Sequence, residues 1–150
     1  MPPTLTIRRS LVSDSEALPD IWLRSVRASH TFLTEEDIRS LLPAVRDYFR
    51  TPDLELWVLC ADALPVGFMG LSGTVIESLF IAPEHFRQGG GTIFLSHARH
   101  LKGPLSVDVN EQNSQALRFY LARGFQVVGR WPVDDAGRPF PLLHLREVYG

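Results

Sequence analysis

The sequence predicts an α/β fold in one domain, built on a mixed sheet of six to seven strands. Three observations predict it. At Thr51-Pro52-Asp53 the hydrophobic period changes from 3.6 residues to 2, so helices give way to strands. The three strand-like runs that follow are joined by links so short that they imply an antiparallel meander. The third run leads to Gly89-Gly90-Gly91, which opens onto an amphipathic helix and then a further strand.

In chain order, Thr4 to Arg8 alternates apolar and polar residues as a first strand. Ser13-x-x-Glu16 has capping-box spacing, and apolar pairs at helical intervals carry a first helix to about Ala28, with Pro19 inside it. Thr34-x-x-Asp37 is a second capping signal, followed by a stripe of Ile38, Leu41, Leu42, Val45 and Phe49. Leu54 to Cys60, Val66 to Leu71 and Val75 to Ile81 are the meander strands. A helix follows from about Gly90 to Leu101, a strand from Pro104 to Val109, and a helix from Asn113 to Arg123 with Gly124 as its C-cap. Phe125 to Trp131 and Pro139 to Leu145 close the chain as two strands. The order is β-α-α-β-β-β-α-β-α-β-β over residues 1–150, with no linker or repeat.

Composition narrows the function classes. With 45% hydrophobic and 21% charged residues the 150-residue chain can bury a core, and a net charge of −2 predicts neither a nucleic-acid nor a membrane partner. Lys102 is the only lysine and Cys60 the only cysteine, so no internal disulfide or cysteine metal cluster is expected. No apolar run approaches the roughly 20 residues of a membrane span, and a cytoplasmic location is expected.

The chemistry starts at the glycines. Strand, glycine turn and helix N-terminus present free backbone N–H groups and the positive end of a helix dipole, an arrangement that suits phosphate. A P-loop is excluded because no Gly-Lys-Ser/Thr ending follows; a dinucleotide fingerprint is excluded because Phe94 stands at its third glycine. A pyrophosphate site outside both classes remains. Downstream, a strand ends at Asn110, and Asn113 and Tyr120 stand seven residues apart at the expected start and middle of the next helix. Two helical turns put them on one face, roughly 10 Å apart along the axis.

The stretch from Glu77 to Phe125 resembles the GNAT superfamily of acetyl-CoA-dependent N-acetyltransferases. The glycine turn is similar to its signature Arg/Gln-x-x-Gly-x-Gly/Ala, and Asn110-x-x-Asn113-x-x-Ala116-x-x-Phe119-Tyr120-x-x-x-Gly124-Phe125 to its second block. The segments S-H-T-F-L-T-E-E-D-I and V-D-D-A-G-R-P-F-P-L-L-H-L resemble a small bacterial branch assigned to peptidyl-lysine acetylation. One departure stands out: Phe86 occupies the signature's leading Arg/Gln position, with Arg87 and Gln88 beside it.

The resemblance implies a GNAT-like, mostly antiparallel sheet with helices on both faces and acetyl-CoA as acetyl donor, without a metal. It implies that backbone groups of Leu79, Phe80 and Ile81 pair with the pantetheine arm, in a slot where the strands splay. It further implies that amides of Arg87, Gln88, Gly89, Gly90, Gly91 and Thr92 hold the pyrophosphate, that Asn113 contacts the arm, and that Tyr120 protonates the leaving thiolate. A thiol of pKa about 8.5 needs only a modest acid. A base must free the amine: Glu77, which interrupts the apolar strand, is the first candidate, with His30 or a water chain next and His144 weaker. Phe32 and Leu33 join His30 and His144 as expected walls of the acceptor pocket. The acceptor is a primary amine on a protein lysine, an N-terminus or a small molecule, and the chain is a monomer or homodimer. The competing expectation is an acyl-CoA-binding regulatory module without turnover.

Overall fold

Turn chemistry and burial set the element boundaries. A computed structural model of the chain describes residues 2–148. Strand β1 (Leu5–Arg9) leads to helices α1 (Ala17–Ser29) and α2 (Glu35–Tyr48), then to the meander β2 (Glu55–Ala61), β3 (Leu64–Ser72) and β4 (Val75–Ile81). Helix α3 (Gly90–Lys102), strand β5 (Ser106–Asn110), helix α4 (Ser114–Leu121) and strands β6 (Phe125–Trp131) and β7 (Leu142–Glu147) complete it. The predicted element order therefore holds.

Several boundaries differ from the expectations; helix α4, for one, ends at Leu121 with Ala122 as its C-cap, so Gly124 lies two residues past the cap rather than at it. The Ser13-x-x-Glu16 capping box does not form; Glu16 is the N-cap of α1 and makes no side-chain capping bond. Asp14, buried and paired with Arg8 at 2.9 Å, instead accepts the Leu11 N–H at 2.7 Å and shapes a short 3-10 turn before the helix. Pro19 falls in the first turn of α1, where its missing N–H has no intrahelical partner to lose. The last strand starts at Leu142 rather than Pro139, because Pro139 and Pro141 have no N–H for a ladder. Asn113 is the N-cap of α4 rather than a helical residue, and its side chain accepts the Ala116 N–H at 3.2 Å. The Thr34 cap of α2 forms as the spacing predicts, with reciprocal bonds to Asp37 of 3.1 and 2.9 Å.

One seven-stranded sheet has the order β1-β2-β3-β4-β5-β7-β6, antiparallel except where β4 meets β5. Helices α3 and α4 cover one face over a core that includes Leu59, Met69, Phe94 and Leu145; α1 and α2 cover the other over Ile21, Val26, Val58 and Phe68. Cys60 lies in this second core as a small hydrophobe. Among the described residues no helix is long and apolar enough to cross a membrane.

Two irregularities in β4 matter most. Gly70 pairs with Ser78 but Leu71 pairs with Ile76, so Glu77 is the extra residue of a β-bulge. The bulge reverses the alternation, which is why Ile76 and Leu79, three residues apart, both reach the core beneath α3. On the other side β4 and β5 pair at Val75–Ser106 and Ile76–Val107 and no further. The two halves of the sheet part there.

Gly70 holds this irregularity. A Cβ at Gly70 would lie 2.0 Å from the Tyr48 hydroxyl and 2.8 Å from Ser78 Oγ, and those two oxygens bond each other at 2.7 Å. Gly70→Ala should therefore lower the unfolding free energy by about 1–3 kcal/mol in urea titration. Combined with Tyr48→Phe, the loss should be smaller than the sum of the single losses; strict additivity would remove the clash as its cause.

Candidate active site

Where β4 leaves β5, a cavity of about 510 Å³ opens between the parted strands. Leu79, Phe80 and Ile81 line it from β4, and these residues pair only with β3, through Met69, Phe68 and Gly67. The β5 side of that stretch is an unpaired strand edge, so its N–H and C=O groups are available to an extended amide chain.

The glycine turn forms one end of the cavity, which Phe86, Arg87, Gly89, Gly91 and Thr92 line. The three glycines have different reasons to be glycine. Gly89 caps α3 at φ +87, with open space around it. A Cβ at Gly90 would meet Leu59 at 2.6 Å, and one at Gly91 would meet the Phe119 ring at 2.7 Å. The latter two are thus required by the packing of α3 onto the sheet and α4. The helix then starts with Gly90, Gly91 and Thr92 N–H groups that no preceding turn can satisfy. Gly90 is buried below the turn and Gln88 lies outside the cavity, its side chain against His85 at 2.9 Å. Arg87 adopts φ +65, a conformation that turns the chain sharply into Gly89.

Helix α4 supplies the opposite wall through Asn113, Gln115, Ala116, Phe119 and Tyr120. Tyr120 is buried between Phe119 and Phe125, each ring 5.1 Å away edge-on. Burial pushes its phenol above its ordinary value, so it stays protonated at every physiological pH.

The end of α1 closes the cavity with Ser25, Ser29 and His30. Burial lowers the His30 pKa to about 4, so the ring is neutral. Its tautomer follows from proton counting. The Ser29 hydroxyl has one proton and donates it to the Ser25 carbonyl at 2.8 Å. The 2.8 Å contact between Ser29 Oγ and His30 Nδ1 is then made by the imidazole N–H donating to the hydroxyl. His30 Nε2 is left with the free lone pair.

The other expected site residues lie elsewhere. Glu77, in the bulge, is exposed and lines a separate cavity of about 230 Å³ with Tyr48, Trp22 and Phe80. Phe32 stacks on His30 at 5.4 Å and on Phe140 at 5.9 Å, joining the α1–α2 loop to the β6–β7 loop. Leu33 packs into the core under α1 and α2. His144 pairs with Asp108 at 2.6 Å across β5 and β7, outside the cavity. Among the described residues no group of three His, Cys, Asp or Glu side chains is arranged for a metal ion.

Sequence reasoning missed Ser25, Ser29, Phe119 and Arg123, all of which line the cavity. The four-residue spacings Ser25–Ser29 and Phe119–Arg123 were the available signals, since they put each pair on one helical face. A larger cleft of about 860 Å³, between the start of α1 and the end of α2, contains none of the expected site residues.

A family model for the acetyltransferase (GNAT) domain matches residues 52–127. The peptidyl-lysine N-acetyltransferase YjaB of Escherichia coli K12 is 44% identical over 145 residues, covering 96% of this chain and 97% of that protein. The solution structure of the apo form of E. coli YjaB matches with a TM-score of 0.88 at 43% identity, covering 98% and 99% of the two chains. The PaiA N-acetyltransferase of Thermoplasma acidophilum, solved in complex with coenzyme A, matches with a TM-score of 0.78, covering 97% of this chain and 99% of that one; at 19% identity this likeness is one of fold alone. With its parted sheet, glycine turn and Tyr120 helix, the chain belongs to the GNAT family and is an acetyltransferase.

Proposed function

We propose that the chain transfers the acetyl group of acetyl-CoA directly to the side-chain amine of a lysine in a protein substrate. The observation that carries this reading is the open edge of β4 facing the same cavity as Tyr120. The lysine acceptor is supported by the two YjaB relatives, 44% and 45% identical, which are peptidyl-lysine N-acetyltransferases.

Bound acetyl-CoA would supply a thioester, whose acyl carbon is open to attack by a neutral amine. Backbone groups of Leu79, Phe80 and Ile81 hold the pantetheine arm along the open edge. Amides from Arg87 through Thr92 hold the pyrophosphate, those of Gln88 and Gly90 by backbone alone. Asn113 commits its carbonyl oxygen to the α4 cap, which leaves its amide nitrogen for the arm. Tyr120 keeps its proton at Oη for the departing thiolate, as burial favours. The base role goes to His30 in preference to Glu77, because His30 and Tyr120 line one cavity and Glu77 lines another. With a pKa of about 4 the ring is too weak a base to strip an alkylammonium unaided. It orients the neutral amine through Nε2 and passes the proton on to water. Phe32 and Phe140 flank the acceptor's approach, while Leu33, packed into the core, and His144, paired with Asp108, stand apart from it.

The alternative of a binding module without turnover draws on Phe86 at the signature's polar position, and turnover decides between the two. Tyr120→Phe should lower kcat by about 10- to 100-fold, the low end of general-acid effects. Acetyl-CoA affinity by calorimetry should stay within about twofold. Unchanged turnover would remove Tyr120 from the acid role.

The pH profile tests the base. The folded His30 pKa lies below the ordinary 6.5, so the ring is already free base from about pH 5 upward. The rate should show no inflection near 6.5 and should climb with pH as the acceptor amine deprotonates. His30→Gln should reduce kcat by roughly tenfold, while Glu77→Gln should leave the profile unchanged. A profile altered by Glu77→Gln and not by His30→Gln would return the base role to Glu77.

A further inference from the structure

We infer that Arg123 is the side chain that binds the cosubstrate's pyrophosphate, in place of the polar residue that Phe86 has displaced from the start of the glycine turn; this rests on the acetyl-CoA reading above. Phe86 lines the cavity but offers no donor, and the free N–H groups at the head of α3 are uncharged. A doubly charged pyrophosphate there calls for a cation. Arg123, just past the end of α4, is positioned for it by three contacts. Its guanidinium carbon lies over the Phe119 ring, 3.9 Å from the centroid. Nη1 donates to the Phe119 carbonyl at 2.9 Å, and Nε to Thr92 Oγ1 at 3.2 Å.

The Thr92 bond brings the guanidinium onto the first turn of α3, whose unpaired amides are the backbone part of the same anion site. Two of the five guanidinium N–H donors are committed to these contacts, and three remain, including both on Nη2. The same Phe119 ring occupies the space beside Gly91, so one aromatic side chain both fits the glycine turn and carries the cation above it. No carboxylate among the described residues pairs with Arg123, so its charge is left for a ligand. Arg87 also lines the cavity, but its exposed side chain makes no comparable set of contacts.

The test is calorimetric titration of CoA, dephospho-CoA and pantetheine into wild type, Arg123→Gln and Arg123→Lys, with thermal melts to establish folding. Charged hydrogen bonds of this kind make Arg123→Gln about tenfold weaker for CoA. It should be weaker by the same factor for dephospho-CoA, which keeps the pyrophosphate, and unchanged for pantetheine, which lacks it. Arg123→Lys keeps the charge but not the forked donor set of the guanidinium, and should fall between. A loss for CoA that disappears with dephospho-CoA would assign Arg123 to the 3′-phosphate and overturn the inference, as would a CoA affinity within twofold of wild type in a folded Arg123→Gln. Failure of the wild type to bind CoA at all would instead overturn the acetyl-CoA reading itself.

Discussion

Two residue pairs, Val75 with Ser106 and Ile76 with Val107, are all that join the halves of the sheet. Beyond them the inner edge of β4 has no strand partner, in the middle of a fold where every other neighbouring pair of strands forms a longer ladder. An unsatisfied backbone group away from water costs about 1–3 kcal/mol, so such an edge persists only where solvent or a ligand meets it. The cavity between β4 and α4 provides that access. Its other features follow from the gap: α3 starts at its lower end, α4 forms its far wall, and α1 ends across its mouth.

Maintaining the gap needs close packing beside it. Gly90 and Gly91 let the head of α3 sit against Leu59 and Phe119, and Gly70 makes room for the Tyr48 hydroxyl behind the bulge. The glycine turn therefore carries two demands at once. Of the three glycines Gly89 alone has open space, and the other two are fixed by neighbours that themselves line the cavity or the core beneath it.

Much of the fold was legible because its signals are local. The change of period at Thr51-Pro52-Asp53, the Thr34–Asp37 cap and Gly124, at φ +94 just past α4, each act within a few residues. The cavity's two long blocks, the glycine turn and Asn113–Tyr120, were legible for the same reason. What was not legible depends on partners distant in sequence. Nothing in V-I-E-S-L marks Glu77 as the extra residue of a bulge, whose surroundings include Gly70 on β3 and Tyr48 on α2, distant in sequence. Strict alternation through it assigns Glu77 to the wrong side. The Ser13–Glu16 box lost to Asp14 for a similar reason, since Arg8 on β1 draws that carboxylate into the turn.

Burial then gives His30 and Tyr120 opposite behaviour from one cause. Removing water disfavours whichever form is charged, so the Tyr120 phenol rises and holds its proton while the His30 imidazole falls and sheds it. A donor and an acceptor result, both neutral, with the acceptor's orientation set by Ser29 and Ser25. Neutrality suits a reaction between a neutral amine and a neutral thioester, because neither group holds the acceptor as an ion pair that must break before attack. On the proposed reading the phosphates bind at the other end, and there the guanidinium groups of Arg87 and Arg123 line the cavity. On that reading the cavity is graded from an end lined by the neutral His30 and Tyr120 to an end lined by Arg87 and Arg123. Such a gradient would set which way round the proposed anionic cosubstrate enters.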